Sequence, residues 1–303
     1  MMNQIMTQSQ KRFNESVGAL FEKSHQKRHC LFLKSSSDVG VMRNGGRNGA
    51  RFAPQAFLTA FRKFSQTNFL ADWSFSELEV SDQEQEFINF SSAQKMEEQK
   101  IKETLAQFPQ SCVWQIGGGH DHIYPFLSAL APSYQRVIVI NIDAHADTRT
   151  DPEANSGTPF RQFASSFEGD YHLFQIGLHS FANAPSTLSP LSRGSQKTLL
   201  KRDLSPAKLD DLFGEIEKLI HQQTAVFFSL DADALNGYEV PGVSAVNPDG
   251  FSCKELISLW KRYQKLQKPH ATLAGIYELN PVYDSLGGLS MKTMASFVFE
   301  SFR

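Results

Sequence analysis

Six short apolar runs constrain the fold of this chain more than any other feature. Cys30–Lys34, Val113–Ile116, Arg136–Ile142, Tyr171–Ile176, Ala225–Leu230 and Leu273–Leu279 are continuous in hydrophobicity and often β-branched. A strand with one wet face alternates apolar and polar residues, whereas an unbroken apolar run reads as a strand buried on both faces. Amphipathic helical patterns separate the runs. Leu209, Leu212, Phe213, Ile216, Leu219 and Ile220 share one helical face behind Ser205-Pro206, an N-cap followed by a proline at the first helical position. Ser252 and Glu255 have capping-box spacing ahead of Leu256, Leu259, Trp260 and Tyr263. This βαβα order predicts an α/β fold of three layers, αβα, around a mostly parallel central sheet.

No repeat of fixed period, low-complexity tract or linker divides the 303 residues, so a single domain over 1–303 is expected. Residues 1–29 are polar and weakly amphipathic and read as an N-terminal extension, an extra helix laid on the domain. The charged, Gln-rich segment Asp82–Lys102 reads as a loop and an exposed helix with a solvated face. Thirty Lys and Arg against 32 Asp and Glu leave a net charge of -2, without the basic footprint of a nucleic-acid binder. No run approaches the roughly 20 apolar residues of a membrane span. Cys30, Cys112 and Cys253 are odd in number and widely spaced, which suits a reducing, cytoplasmic setting better than a disulfide framework. A small-molecule partner is the expectation.

In open parallel sheets ligands bind beyond the carboxyl ends of the strands. Four exits here carry ionisable groups: Gly117-Gly118-Gly119-His120-Asp121, Asp143-Ala144-His145-Ala146-Asp147, Asp231-Ala232-Asp233 and Glu278-Leu279-Asn280-Pro281. In extended geometry Asp143, His145 and Asp147 project to one side. Alone they could be a solvated polar cluster. Joined by Asp231 and Asp233, they would repel strongly unless cations lay between them. With His120 the inventory is two imidazoles and four carboxylates, enough for two divalent ions of borderline hardness such as Mn²⁺, Fe²⁺, Co²⁺ or Zn²⁺. The glycine run lacks both GxGxxG spacing and a GK[ST] ending, and reads as close backbone approach to the metal floor. His25, His29, His221 and His270 fall in helical or surface contexts. His122 and His179 follow strands on the active rim and are candidates to touch substrate.

These motifs resemble those of the ureohydrolase superfamily of arginases, agmatinases and formimidoylglutamases. Gly117–His120, Asp143–Asp147, Ser229–Asp233 and Glu278–Pro281 match its GGGH, DAHxD, S[LF]DxD and E[VL]NP segments in order. The resemblance implies an arginase-like fold and two Mn²⁺ per chain. One ion would be held by His120, Asp143, Asp147 and Asp231, the other by Asp143, His145, Asp231 and Asp233. Glu278 would face the amidine or guanidine nitrogens, with Asp147 and Glu278 as catalytic residues. Oligomers are frequent in the superfamily, so a homo-oligomer is an expectation.

Three segments resemble the formimidoylglutamase branch: Asp38–Ala50, with Asn44 and Arg47; Arg149 after DAHAD-Thr; and Ser156–Arg161, where arginases carry a histidine-containing loop. Val240–Ala245 also matches that branch's APGVSA loop. A dianionic glutamate tail calls for guanidinium forks, so Arg47, Arg149 and Arg161, with Asn44 as a neutral donor, are the expected substrate-binding residues. The implied reaction is hydrolysis of N-formimidoyl-L-glutamate to L-glutamate and formamide by a metal-bridging hydroxide. Hydrolysis of another amidine or guanidine (guanidinobutyrate, agmatine or arginine) and a non-catalytic binding role are the alternatives. GGGHDHIYP departs from the GGGHE-type sequence, so Asp121 and His122 are expected to alter the pocket wall.

Overall fold

A computed structural model describes residues 8–23, 27–109, 111–266 and 272–303; His25 and His270 lie outside them. Eight strands form one sheet: β1 (Arg28–Ser35), β2 (Trp73–Glu79), β3 (Cys112–Gly117), β4 (Arg136–Ile142), β5 (Asp170–Leu178), β6 (Ser195–Leu200), β7 (Thr224–Asp231) and β8 (Leu273–Tyr277). Their order is β2-β1-β3-β8-β7-β4-β5-β6, and every pair is parallel. Strands β2 and β6 escape a search for continuous apolar runs because they are the sheet edges. Their sequences, WSFSELE and SQKTLL, are polar where the outer edge meets water.

Side-chain alternation along the central strands feeds two cores. Ile138, Ile140 and Ile142 of β4 point into one, with Val226, Phe228 and Leu230 of β7 and with helices Ala53–Arg62, Pro206–Leu219, Cys253–Leu266 and Leu289–Ser301. Val137, Val139 and Phe227 point into the other, against helices Phe90–Gln107, Ile123–Leu130 and Pro159–Ser166. The layers are therefore αβα. Both expected caps are present: the Ser205 hydroxyl accepts from the Lys208 amide, and Ser252 and Glu255 bond reciprocally. Residues 8–23 supply the helix Gln8–Asn14 and a turn, Val17–Phe21, whose Val17 and Leu20 enter the core. β1 begins at Arg28, inside the stretch expected as an N-terminal extension. No helix among the described residues is long and apolar enough to cross a membrane.

The segment expected to be solvated differs most from its sequence reading. Residues 83–107 form two helices, and Glu86, Gln94 and Glu97 are buried. Partners on the sheet side explain this: Ser37 donates to Glu86, and Ser35 and Gln115 donate to Glu97.

Strands β3, β8, β7 and β4 are consecutive in the sheet, so the four ionisable exits lie side by side although up to 158 positions separate His120 from Glu278. Gly118 ties two of these ends, those of β3 and β8, to the end of β1: its amide donates to Ser35 O and its carbonyl accepts from the Glu278 amide, both at 2.8 Å. A Cβ there would be built into the Ser37 carbonyl. Gly118→Ala is expected to cost about 1–3 kcal/mol through this overlap, read as a lower urea midpoint at unchanged m.

Candidate metal centre

His120 enters the rim on the turn after β3, fully buried. Its Nε2 meets Ser229 Oγ at 2.8 Å, which leaves Nδ1 facing Asp147 Oδ2 at 2.9 Å, Asp231 Oδ2 at 3.2 Å and Asp143 Oδ2 at 3.3 Å. Across the shared Asp143, His145 Nδ1 lies 3.1 Å from Asp233 Oδ2 and 3.8 Å from Asp143 Oδ1. Two ligand groups result, His120 with Asp143, Asp147 and Asp231, and His145 with Asp143 and Asp233; within each, the offered atoms lie within 4.8 Å of one another.

Local turns aim the carboxylates. Asp143 Oδ1 accepts the His145 amide at 2.7 Å, and Asp231 Oδ1 accepts the Asp233 amide at 2.8 Å. The DAHAD stretch is not extended as its alternation implied. Asp147 has φ 50°, and Glu278 has φ 63°; these are the two non-glycine residues with positive φ among the described residues. Such conformations are costly for residues with a Cβ and persist where surrounding structure enforces them. Both fall on the two expected catalytic residues.

A layer of buried polar residues, absent from the sequence reading, lies on the strands just below the rim. Gln115, Ser229, Asn141 and Gln175 sit on β3, β7, β4 and β5 and are fully buried. Register places Gln115 and Ser229 opposite Gly275, and Asn141 opposite both Ser229 and Gln175. Asn141 Nδ2 donates to Asp143 Oδ2 and to Gln175 Oε1, and Gln175 Nε2 donates to Ala146 O. Asn183 adds a clamp, accepting the Ala146 amide and donating to Ala144 O. The available signal was a polar residue within the last three positions of each of four apolar runs.

The donor set fits divalent cations. His120 Nδ1 is buried without a hydrogen-bond partner while three carboxylates converge on it, and Asp233 Oδ1 is equally unpartnered. Without cations the cluster must hold protons. Burial opposes a charge on His120, yet Asp143, Asp147 and Asp231 together push its pKa well above the usual value. Asp233 lifts His145 to about 11. Burial, with the neighbouring Asp147, raises Asp143 to about 6, and burial raises Glu278 to about 8. Carboxylates and neutral imidazoles are the forms that bind a metal.

The cluster floors a cavity of about 350 Å³, with His145, Asp147, Asp231, Asp233 and Glu278 among its lining. Asn44, Arg47 and Arg149 reach its wall. Arg149 is already engaged by Asp151 (Nη2–Oδ2 2.8 Å) and by Asn44 Oδ1. Arg47 donates to the Val243 and Ser244 carbonyls and stacks on Tyr283. Arg161 departs from the expected placement. Its donors go to Thr148 O, Pro190 O and Ser189, and it is absent from the lining because these loop carbonyls hold it elsewhere.

His122 and His179 also stay outside the lining. His122 points into a second buried group with Glu86, Asp121 and Glu97. Both its nitrogens face acceptors, Glu97 Oε2 at 2.8 Å and Ser37 O at 3.2 Å. Burial opposes its protonation, but Glu97, Asp121 and Glu86 outweigh that and raise its pKa well above normal. The imidazolium is this group's resident cation. The glycine run serves the same region: side chains at Gly117 and Gly119 would strike Tyr277 and Asp121, not a metal ligand.

Because the cation-free cluster holds protons that a metal must displace, Mn²⁺ affinity is expected to rise with pH between about 6 and 8, with release of about one proton or more per chain. Calorimetry in buffers of different ionisation enthalpy measures this. A pH-independent affinity with no proton release would contradict the protonated cluster.

The arginase family model matches residues 38–302. The formimidoylglutamase of Chromobacterium violaceum is 29% identical over 282 residues, covering 90% of this chain and 87% of that protein. A crystal structure of Trypanosoma cruzi formiminoglutamase with two Mn²⁺ superposes with TM-score 0.75 at 25% identity, over 95% of this chain and 96% of that one. Formimidoylglutamase from Bacillus subtilis shares the fold at TM-score 0.79 and 19% identity, over 92% and 88% of the two chains. With four strand exits converging on one rim and the family model spanning nearly all of the sequence, this chain belongs to the arginase family.

Proposed function

We propose that this hydrolase of amidine C–N bonds converts N-formimidoyl-L-glutamate and water to L-glutamate and formamide, with two Mn²⁺ per chain. The observation that carries the reading is the His120–Asp143–Asp147–Asp231 and Asp143–His145–Asp233 cluster on the floor of a cavity walled by Asn44, Arg47 and Arg149. Formimidoylglutamases and a two-manganese relative among the similar proteins support the substrate and the metal.

His120, Asp143, Asp147 and Asp231 would hold one ion, and His145, Asp143, Asp231 and Asp233 the other. When bound, the pair supplies Lewis acidity that makes a water nucleophilic near neutral pH. Glu278 orients the substrate. The His120 amide occupies its Oε1 at 3.0 Å, which leaves Oε2 for the amidine N–H groups. A cationic amidine beside this carboxyl favours its ionised form and offsets the effect of burial. Asp147, strained and facing the cavity, accepts the proton of the attacking water. It then returns that proton to the departing glutamate nitrogen as the C–N bond breaks. At the outer wall, Arg149 and Asn44 receive the carboxylates of the tail.

A second reading rests on one observation: the Arg149 guanidinium is already paired with Asp151, so a tail of lower negative charge would also be accommodated. Arginine, agmatine or guanidinobutyrate would then be the substrate. With Mn²⁺ supplied, formamide, urea and ammonia release across the four compounds separates the readings. The highest kcat/KM is expected for formimidoylglutamate, and a higher value for arginine or agmatine would reverse the assignment.

Asparagine tolerates the left-handed backbone of position 147 and retains one ligand oxygen. Asp147→Asn is therefore expected to keep its metal content while kcat falls by about 10²-fold or more. Undiminished turnover would remove Asp147 from the mechanism.

A further inference from the structure

Tyr277 is fully buried at the end of β8, immediately before Glu278, and the chemistry described above makes no use of it. Its ring lies flat on the His120 imidazole, with centroids 4.7 Å apart and planes 18° from parallel. The Tyr277 hydroxyl donates to Gln115 Oε1 at 2.6 Å. Gln115 is itself pinned, its Nε2 donating to Ser35 Oγ at 2.9 Å and to the His122 carbonyl at 3.1 Å. Two glycines make the slot: a Cβ at Gly275 would collide with the Tyr277 hydroxyl, and one at Gly117 would collide with its ring.

We propose that Tyr277 is a positioning residue for His120, a ring clamp that sets the plane in which Nδ1 meets Asp143, Asp147 and Asp231. Three contacts define that plane. Ser229 Oγ holds Nε2 from the strand side, the Phe160 ring meets the imidazole edge-on at 5.3 Å, and Tyr277 covers a whole face. Without the tyrosine ring the imidazole has a free face and can rotate about its Ser229 bond, carrying Nδ1 away from the carboxylates. Gln115 fixes the clamp from behind, so the polar layer of the sheet acts on the metal rim through one aromatic ring. His145 Nδ1 faces Asp233 and Asp143 instead, so the clamp acts on the ion that His120 would hold. The proposal rests on His120 being a metal ligand.

The test is a Mn²⁺ titration of the full chain, with free ion followed by its electron paramagnetic resonance signal. Wild type, Tyr277→Phe, Tyr277→Ala, Gly275→Ala and His120→Asn are compared. Tyr277→Phe keeps the stack and is expected to bind both ions within about threefold of wild type. Tyr277→Ala removes the ring, and Gly275→Ala displaces it while retaining every side chain of the site. Each is expected to weaken one of the two binding steps by about 10- to 100-fold and to spare the other, the range seen when residues that orient metal ligands are lost. In a variant that folds, weakening of both steps together overturns the proposal, as does wild-type binding of both ions by Tyr277→Ala or Gly275→Ala. Gly275→Ala carries the test if Tyr277→Ala fails to fold. His120→Asn separates the proposal from its premise. If that variant binds both ions normally, the metal-centre reading falls. If it loses one ion while Tyr277→Ala and Gly275→Ala lose none, only the clamp falls.

Discussion

Four aspartates, two histidines and a glutamate crowd one rim of a parallel sheet, and mutual repulsion among the carboxylates is the constraint that the rest of the molecule answers. Such a group can be relieved by protons or by cations. Protons serve in the metal-free protein, where His145 and Asp143 are held at about 11 and about 6. Those protons sit where a cation would, so a divalent metal bound there would take their place. The cost of holding the group together is spread through the fold. Strands β3, β8, β7 and β4 provide adjacent exits, and Asp147 and Glu278 take positive φ.

Below the rim, the sheet provides a second row of control. Gln115, Ser229, Asn141 and Gln175 lie in register, each buried and each bonded either to a ligand or to the turn that carries one. Side chains on rigid strands orient ligands more narrowly than loops can, because neighbouring strands fix their rotamers. Beside this row, the Glu86–Glu97–His122 group shows the other way to bury carboxylates, with an imidazolium supplied by the chain itself. The two clusters are neighbours through His120-Asp121-His122, yet only the first opens to a cavity.

Much of this was legible in the sequence, for a physical reason. The central strands are buried on both faces, so their residues had to be continuously apolar, and each polar exit stood out against them. The six ligand candidates could be named, since a carboxylate cluster at strand ends has few uses. Three things were hidden. Edge strands β2 and β6 are half-wet and look like loops. The helix Phe90–Gln107 looks solvated because its buried acid, Glu97, pairs with groups more than 20 positions away, Ser35 and His122. Arg161 looks like a substrate fork, and only the fold reveals that loop carbonyls have claimed its donors.

The central claim is that two cations replace the protons at this rim. Diffraction from manganese-loaded crystals at energies on either side of the manganese absorption edge tests it most directly. The account requires two anomalous peaks, one beside His120 Nδ1 and Asp147 and one beside His145 Nδ1 and Asp233, with Asp143 and Asp231 reaching both. A map without peaks there, or with its density beside His122 and Glu86 instead, would contradict it.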